Sequence, residues 1–292
     1  MTGPEAGSVA GRAHERLIVA ESLCKIRFRF RKEGDLRFVS HHDLMRLMER
    51  LCRRADLPLR QTSGFHPKPR IVFAHALALG IAAREEVVEI EFAQPVDPAS
   101  ALTRMNATAP PGLAFHQARP IPLGWTGQPW RLVYTGWWPD GPPPADLPQR
   151  LADLWQQPEW WVERVKGLPP PSSGAGGEER LDQFAGLLHV RPRGPAPGPV
   201  RRLNVKPWVH SLDLVEERLR LVLGATPAGS VRPDEVLKLT GLWDQFLDGV
   251  LLLERTSVVL VDEVSSVPAE SCPLSSPPWE AVAAPPLCKG SS

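Results

Sequence analysis

The chain has 292 residues, 42% of them hydrophobic, and a formal net charge of only +1, so it can bury one large core or two ordinary ones. No apolar run approaches the ~20 residues that span a bilayer. The first 20 residues contain Glu5 and Glu15 and lack a long apolar stretch, which argues against a signal peptide. The expectation is a soluble, cytoplasmic protein with no membrane association.

In chain order, residues 1–22 read as a flexible leader. Lys25 to Arg31 alternates, with Ile26, Phe28 and Phe30 on one face and Arg27, Arg29 and Arg31 on the other, the pattern of a half-buried strand. Glu33-Gly34-Asp35 turns the chain. Ser40 followed by Asp43 fits a capping box at a helix start. Leu44, Leu47, Met48, Leu51 and Ala55 then share one face of that helix, with Arg46, Arg50, Arg53 and Arg54 on the other, and Pro58 is expected to stop it. Arg70 to Ala74 and Val87 to Phe92 read as strands, the second with Val88, Ile90 and Phe92 inward. Asp97-Pro98 opens a second helix, Pro110-Pro111-Gly112 closes it, and Leu113 to Arg119 is a last strand.

The order β-α-β-β-α-β is the ferredoxin-like plan, so the fold class expected is α+β, with a basic ferredoxin-like domain over residues 23–122. A second, degenerate copy fits 128–262. Its strands are Arg131 to Trp137, Trp160 to Lys166, Leu219 to Leu223 and Leu251 to Val261, and its helices are Asp146 to Gln156 and Pro233 to Leu239. A Pro/Gly-rich insertion at 167–199 interrupts it. Residues 264–292 read as a disordered tail. The pairs Trp137-Trp138 and Trp160-Trp161 cannot both be wholly buried in strands, because neighbouring side chains face opposite ways.

The small net charge hides an asymmetry. From Lys25 to Arg70 there are thirteen Lys and Arg against five Asp and Glu, a balance of +8, so the remainder carries −7. A basic module on an acidic remainder points to an anionic partner such as nucleic acid. Arg46, Arg50 and Arg53, with Arg54 beside them, can line a stripe that meets successive phosphates, or form a solvated face steadied by Glu49 and Asp56. Arg27, Arg29 and Arg31 are the weaker candidates, because pairing of their strand with Val87 to Phe92 sets Glu89 and Glu91 opposite them. The loop Ser63, Gly64, Phe65, His66, Pro67, Lys68, Pro69, Arg70 is stiffened by two prolines. Phe65 could stack on a base while Lys68 and Arg70 hold phosphate, or Phe65 could plug the core of a rigid corner.

His41 and His66 could serve as acid and base in a metal-independent RNase, but His41 and His42 diverge by about 100° on a helix and no third partner is evident. Packing is the reading preferred for His41. The four cysteines, Cys24, Cys52, Cys272 and Cys288, are too scattered for a zinc or iron–sulfur site, and no phosphate-binding loop, dinucleotide fingerprint, GxSxG or HExxH occurs. No cofactor and no metal is therefore expected.

The segment GDLRFVSHHDLMRLMERLCRRADLPLRQTSGFHPKPRIVFA resembles the DUF2344 family, also called the radical-SAM-linked protein family. The residues that carry the resemblance are Gly34, Asp35, Leu36, Phe38, Ser40, His41, Asp43, Leu44, Arg46, Arg53, Arg54, Ala55, Leu57, Pro58, Ser63, Gly64, Phe65, Pro67, Pro69, Leu79 and Gly80. A looser likeness continues through Val205-Lys206-Pro207-Trp208 and Arg232-Pro233-Asp234-Glu235. The resemblance implies a neighbour rather than a reaction: members are commonly encoded beside, or fused behind, a B12-binding radical-SAM protein. The N-terminal half also resembles, in fold plan alone, the repeat-RNA endonucleases of CRISPR systems. Together these lead to the expectation of a non-catalytic protein that binds tRNA or rRNA and works with a separately encoded radical-SAM partner. The alternatives are an RNA-processing or RNA-modifying enzyme and a purely structural partner of the radical-SAM protein.

Overall fold

The computed structural model describes residues 23–165, 200–226 and 229–266. The leader, the Pro/Gly-rich insertion and residues 267–292 of the tail lie outside the described residues. The fold is α+β, with five α-helices and one large, mostly antiparallel sheet among the described residues.

Strand β1 spans Cys24–Lys32 and helix α1 His41–Arg54. The helix starts where it does because Ser40 Oγ accepts from the Asp43 amide at 3.2 Å and donates to the Asp43 carboxylate at 2.7 Å. Its inner face buries Leu44, Met48, Leu51 and Cys52. The helix ends earlier than Pro58: Ala55 is the cap, and Asp56 turns the chain with φ 52, so Pro58 acts only after the turn is made. Then follow β2 (Ile71–Phe73), β3 (Ala82–Phe92), α2 (Pro98–Thr108) and β4 (Leu113–Ile121). Neighbouring strands in this half run β2-β3-β1-β4, all antiparallel. Both helices cover one face, over Ile26, Phe28, Phe30, Val88, Ile90 and Phe92. Phe28 and Phe30 are fully buried and pack on Phe115; each contributes about 1.5–3 kcal/mol by leaving water.

The second half contains β5 (Pro129–Trp137), α3 (Leu147–Gln156), β6 (Trp161–Val165), β7 (Val200–Asn204), β8 (Val209–Val215), β9 (Arg218–Thr226), β10 (Gly229–Ser230), α4 (Pro233–Leu239), α5 (Trp243–Leu247) and β11 (Leu252–Leu260). Here the strands run β8-β9-β5-β11. The expected strand at Trp160 to Lys166 does form, as β6, but outside the large sheet, in a two-stranded ribbon with β7. Its place in the sheet is taken by β8. The ribbon is held to α4 by Arg164, which meets the Glu235 carboxylate at 2.6 and 2.7 Å. Trp138 and Trp160 are buried and Trp161 is exposed, as alternation requires. Of the tail expected from 264, the described residues 264–266 lie in a 3-10 segment spanning Val261–Ser266.

The halves join where β11 lies parallel to the start of β3, Glu254 beside Ala82 and Arg255 beside Ala83, completing a sheet of nine strands among the described residues. At this seam Arg255 is wholly buried and grips Glu86 through both carboxylate oxygens, its Nε 2.6 Å from Oε1. Leu77, Ile81, Ala83 and Val87 of the first half enter the core of the second.

Candidate nucleic-acid interface

The outward face of α1 carries the predicted stripe. Arg46 and Arg53 are 71% and 66% exposed and meet Asp43 and Glu49 one turn away. Such exposed pairs contribute little, about 0.3–0.5 kcal/mol, and leave the guanidiniums available to a stronger anion. Arg50 and Arg54 are exposed and pair with no described carboxylate. Ser40 pulls the Asp43 carboxyl below its ordinary range, with Arg46 and His42 adding to the effect, so this carboxylate stays charged beside the stripe.

The loop after α1 is a small hairpin. Gln61 bridges to Pro69, the Thr62 amide donates to the Lys68 carbonyl at 2.8 Å, and the Lys68 amide donates to Thr62 Oγ1 at 2.9 Å. Arg70 N–H donates to Arg60 O, Arg60 N–H to Glu91 O and Glu91 N–H to Arg70 O, all near 3 Å, which ties the hairpin to β3. Gly64 sits at φ 132, open to glycine and strained for other residues. Ser63, Gly64, Phe65, His66, Lys68 and Arg70 all lie at the surface. Phe65 is fully exposed, at 103%, so it plugs no core. Lys68 and Arg70 pair with no described carboxylate.

Other sequence candidates fall elsewhere. His41 packs its ring on Phe73, with centroids 5.2 Å apart. Burial, then His42 and Lys32, push its pKa down. No described interaction joins it to His66. Arg27 and Arg29 lie on the sheet face away from the helices and are consumed structurally. Arg27 meets Glu89 at 2.8 Å and Asp262 at 2.7 Å, and Arg29 meets Glu85 and Glu263. The register sets Arg27 opposite Glu89.

Two clusters were not legible in the sequence. One is the seam, where Arg255 also reaches the carbonyls of His75 and Ala76, His75 Nδ1 and the Tyr134 hydroxyl. Lys32 is buried nearby and donates to Val39 O at 3.3 Å. The other is an open groove of about 720 Å³ lined by Arg31, Glu33, Arg84, Glu85, His116 and Glu254. Arg84 pairs with Glu254 and Arg31 with Glu33, and with Glu85 the lining sets three carboxylates against two guanidiniums, so the groove is not positive. Neither could have been found from local spacing, because the partners are up to 180 positions apart. Among the described residues no group of His, Cys, Asp and Glu is placed to hold a metal, and no helix is long and apolar enough to cross a membrane.

No curated protein matches the chain. Among solved structures, a chain from "Crystal Structure of a Cbf5-Nop10-Gar1 Complex" aligns with 83% of this chain at 10% identity and a TM-score of 0.34; this chain spans 50% of its length. An unknown protein from Galdieria sulphuraria aligns with 82% of this chain and 99% of its own at 8% identity and a TM-score of 0.23. Likenesses this faint carry no argument. The DUF2344 family model, described as an uncharacterized protein conserved in bacteria, matches residues 25–168, which contain α1, the hairpin loop and the seam residue Glu86. Over that segment the chain is similar to DUF2344.

Proposed function

We propose that the protein binds structured RNA, tRNA or rRNA, through the outer face of α1 and the loop 63–70, as a non-catalytic accessory to a separately encoded radical-SAM, B12-binding protein. One observation carries the RNA reading: Arg50, Arg54, Lys68 and Arg70 stand at the surface without carboxylate partners among the described residues, whereas Arg27 and Arg29 of β1 are neutralised. Backbone phosphates are the ligands such cations suit. In this reading each half is a ferredoxin-like module, which the strand orders β2-β3-β1-β4 and β8-β9-β5-β11 support. A cytoplasmic location goes with it. The radical-SAM partner rests on the family resemblance, and co-purification of the two proteins tests it.

The RNA reading is tested by changing Arg46, Arg50 and Arg53 to Glu and titrating total tRNA and rRNA fragments at several salt concentrations. Every phosphate that a guanidinium neutralises steepens the slope of log affinity against log salt by about 0.7–0.9, so a variant that no longer meets three phosphates should show a slope shallower by about 2–3. Folding should be nearly unaffected, since the three side chains lie on the solvent face of the helix. Unchanged affinity and slope at matched stability would refute the reading.

A further inference from the structure

Resting on the RNA reading above, we infer that the tip of the 63–70 loop captures an unpaired nucleotide, so that the ligand is RNA carrying a single-stranded segment beside a duplex, not an uninterrupted duplex. Phe65 is the starting point. A fully exposed phenylalanine ring gains nothing from the fold that carries it. Here the ring sits on a braced tip: the Thr62–Lys68 bonds close the hairpin, Pro67 and Pro69 restrict it, and two backbone bonds to Glu91 tie its base to β3. A ring presented by a stiff loop loses little freedom when it stacks.

The surroundings indicate what it stacks on. No Asp or Glu occurs between Leu57 and Ala83, while Arg60, Lys68 and Arg70 do. Arg60 is engaged with Glu91 at 2.8 Å, leaving Lys68 and Arg70 as the exposed cations of the loop that carries the ring. A protein hot spot is depleted in charge at its centre, whereas an aromatic ring flanked by cations is the arrangement that holds a base and its phosphate. In an A-form duplex the base faces are stacked on one another and the major groove is too deep and narrow for side chains, so Phe65 can meet a base only where the stack is broken. The guanidiniums of α1, at steps of about 6 and 4.5 Å along the helix, would hold the backbone leading to that break.

The test uses the full chain and three RNA probes that contain the fluorescent base 2-aminopurine: a hairpin with it in the loop, a blunt duplex with it paired, and a single strand. The hairpin should bind more tightly than the duplex and its 2-aminopurine emission should change on binding. Phe65→Ala should weaken the hairpin and the single strand by about 5- to 150-fold, leave the duplex unchanged and abolish the emission change. Phe65→Trp should restore both. The denaturation midpoint of Phe65→Ala should match the wild type, because the ring is exposed. If Phe65→Ala leaves hairpin affinity and emission unchanged while the α1 Arg→Glu variant weakens every probe, the capture proposal is overturned and RNA binding stands. If the wild type binds none of the three probes, the RNA reading falls and the capture proposal with it.

Discussion

Glu86→Gln should be among the most damaging single substitutions in this chain. The Glu86 and Arg255 side chains are 3% and 0% exposed, and Arg255 directs both Nε and Nη2 at the carboxylate. Burial would lower the guanidinium's pKa, but Glu86 and Tyr134 together outweigh it and raise it above its ordinary value. The remaining partners of Arg255 are the carbonyls of His75 and Ala76 at 3.3 and 3.2 Å, His75 Nδ1 at 3.1 Å and the Tyr134 hydroxyl at 3.5 Å, none of them charged to match. Gln conserves the shape but removes the charge and turns an amide N–H₂ toward an Arg N–H. Breaking a buried pair this way costs about 3–5 kcal/mol, a large share of the roughly 5–15 kcal/mol that holds a typical domain. The double variant Glu86→Leu with Arg255→Met should recover much of the loss of Glu86→Leu, because it leaves no buried charge behind at that pair. Urea unfolding followed by tryptophan fluorescence measures the wild type, the single variants and the double variant alike. A loss below about 1 kcal/mol for Glu86→Gln, or a double variant as unstable as its two singles added, would refute the reasoning.

The same seam predicts a pH effect. Burial lowers Lys32 from 10.5 to about 8, against Glu86, which raises it, and with Arg255, which lowers it further. Because the folded value is the lower one, the unfolded chain binds more protons between pH 8 and 10.5, so stability from this group rises with pH across that window and the penalty is complete below it. Lys32→Met should therefore stabilise the protein at about pH 7, by up to about 3 kcal/mol, and much less at about pH 10. Equal gains at both pH values in urea unfolding would contradict this account. Gly112→Ala should cost well over about 1 kcal/mol by the same measurement, since φ is 84 there and a Cβ would stand 2.5 Å from Glu33 O; a neutral result would show that this turn can shift.

Much of this molecule could be read locally. The alternation of Ile26, Phe28 and Phe30, the Ser40–Asp43 cap, the apolar stripe of α1 and the Asp97-Pro98 start are short-range signals, and each element formed where its own residues dictated. The outward placement of Arg46, Arg50, Arg53 and Arg54 follows from the same helical period, so the α1 part of the candidate interface was visible before any fold was known. The opposition of Arg27 to Glu89 was also within reach, because a strand order implies a register.

What tertiary structure alone decided was which residues meet across long separations. Nothing in VHSLDLV distinguishes it from a loop until β9 lies beside it, and nothing in the Trp160 to Lys166 strand shows that it will leave the sheet for a ribbon clasped by Glu235. Phe65 could equally have filled a core; only the hairpin's closure at Thr62 and Lys68 turned it outward. Arg255 is 169 positions from Glu86, and the chain's local pattern marks it merely as a polar residue in a β-favouring run. Local order follows from bonds and side chains a few residues apart, whereas burying a charge depends on where its counter-charge arrives, which is settled only when the two halves of the sheet join.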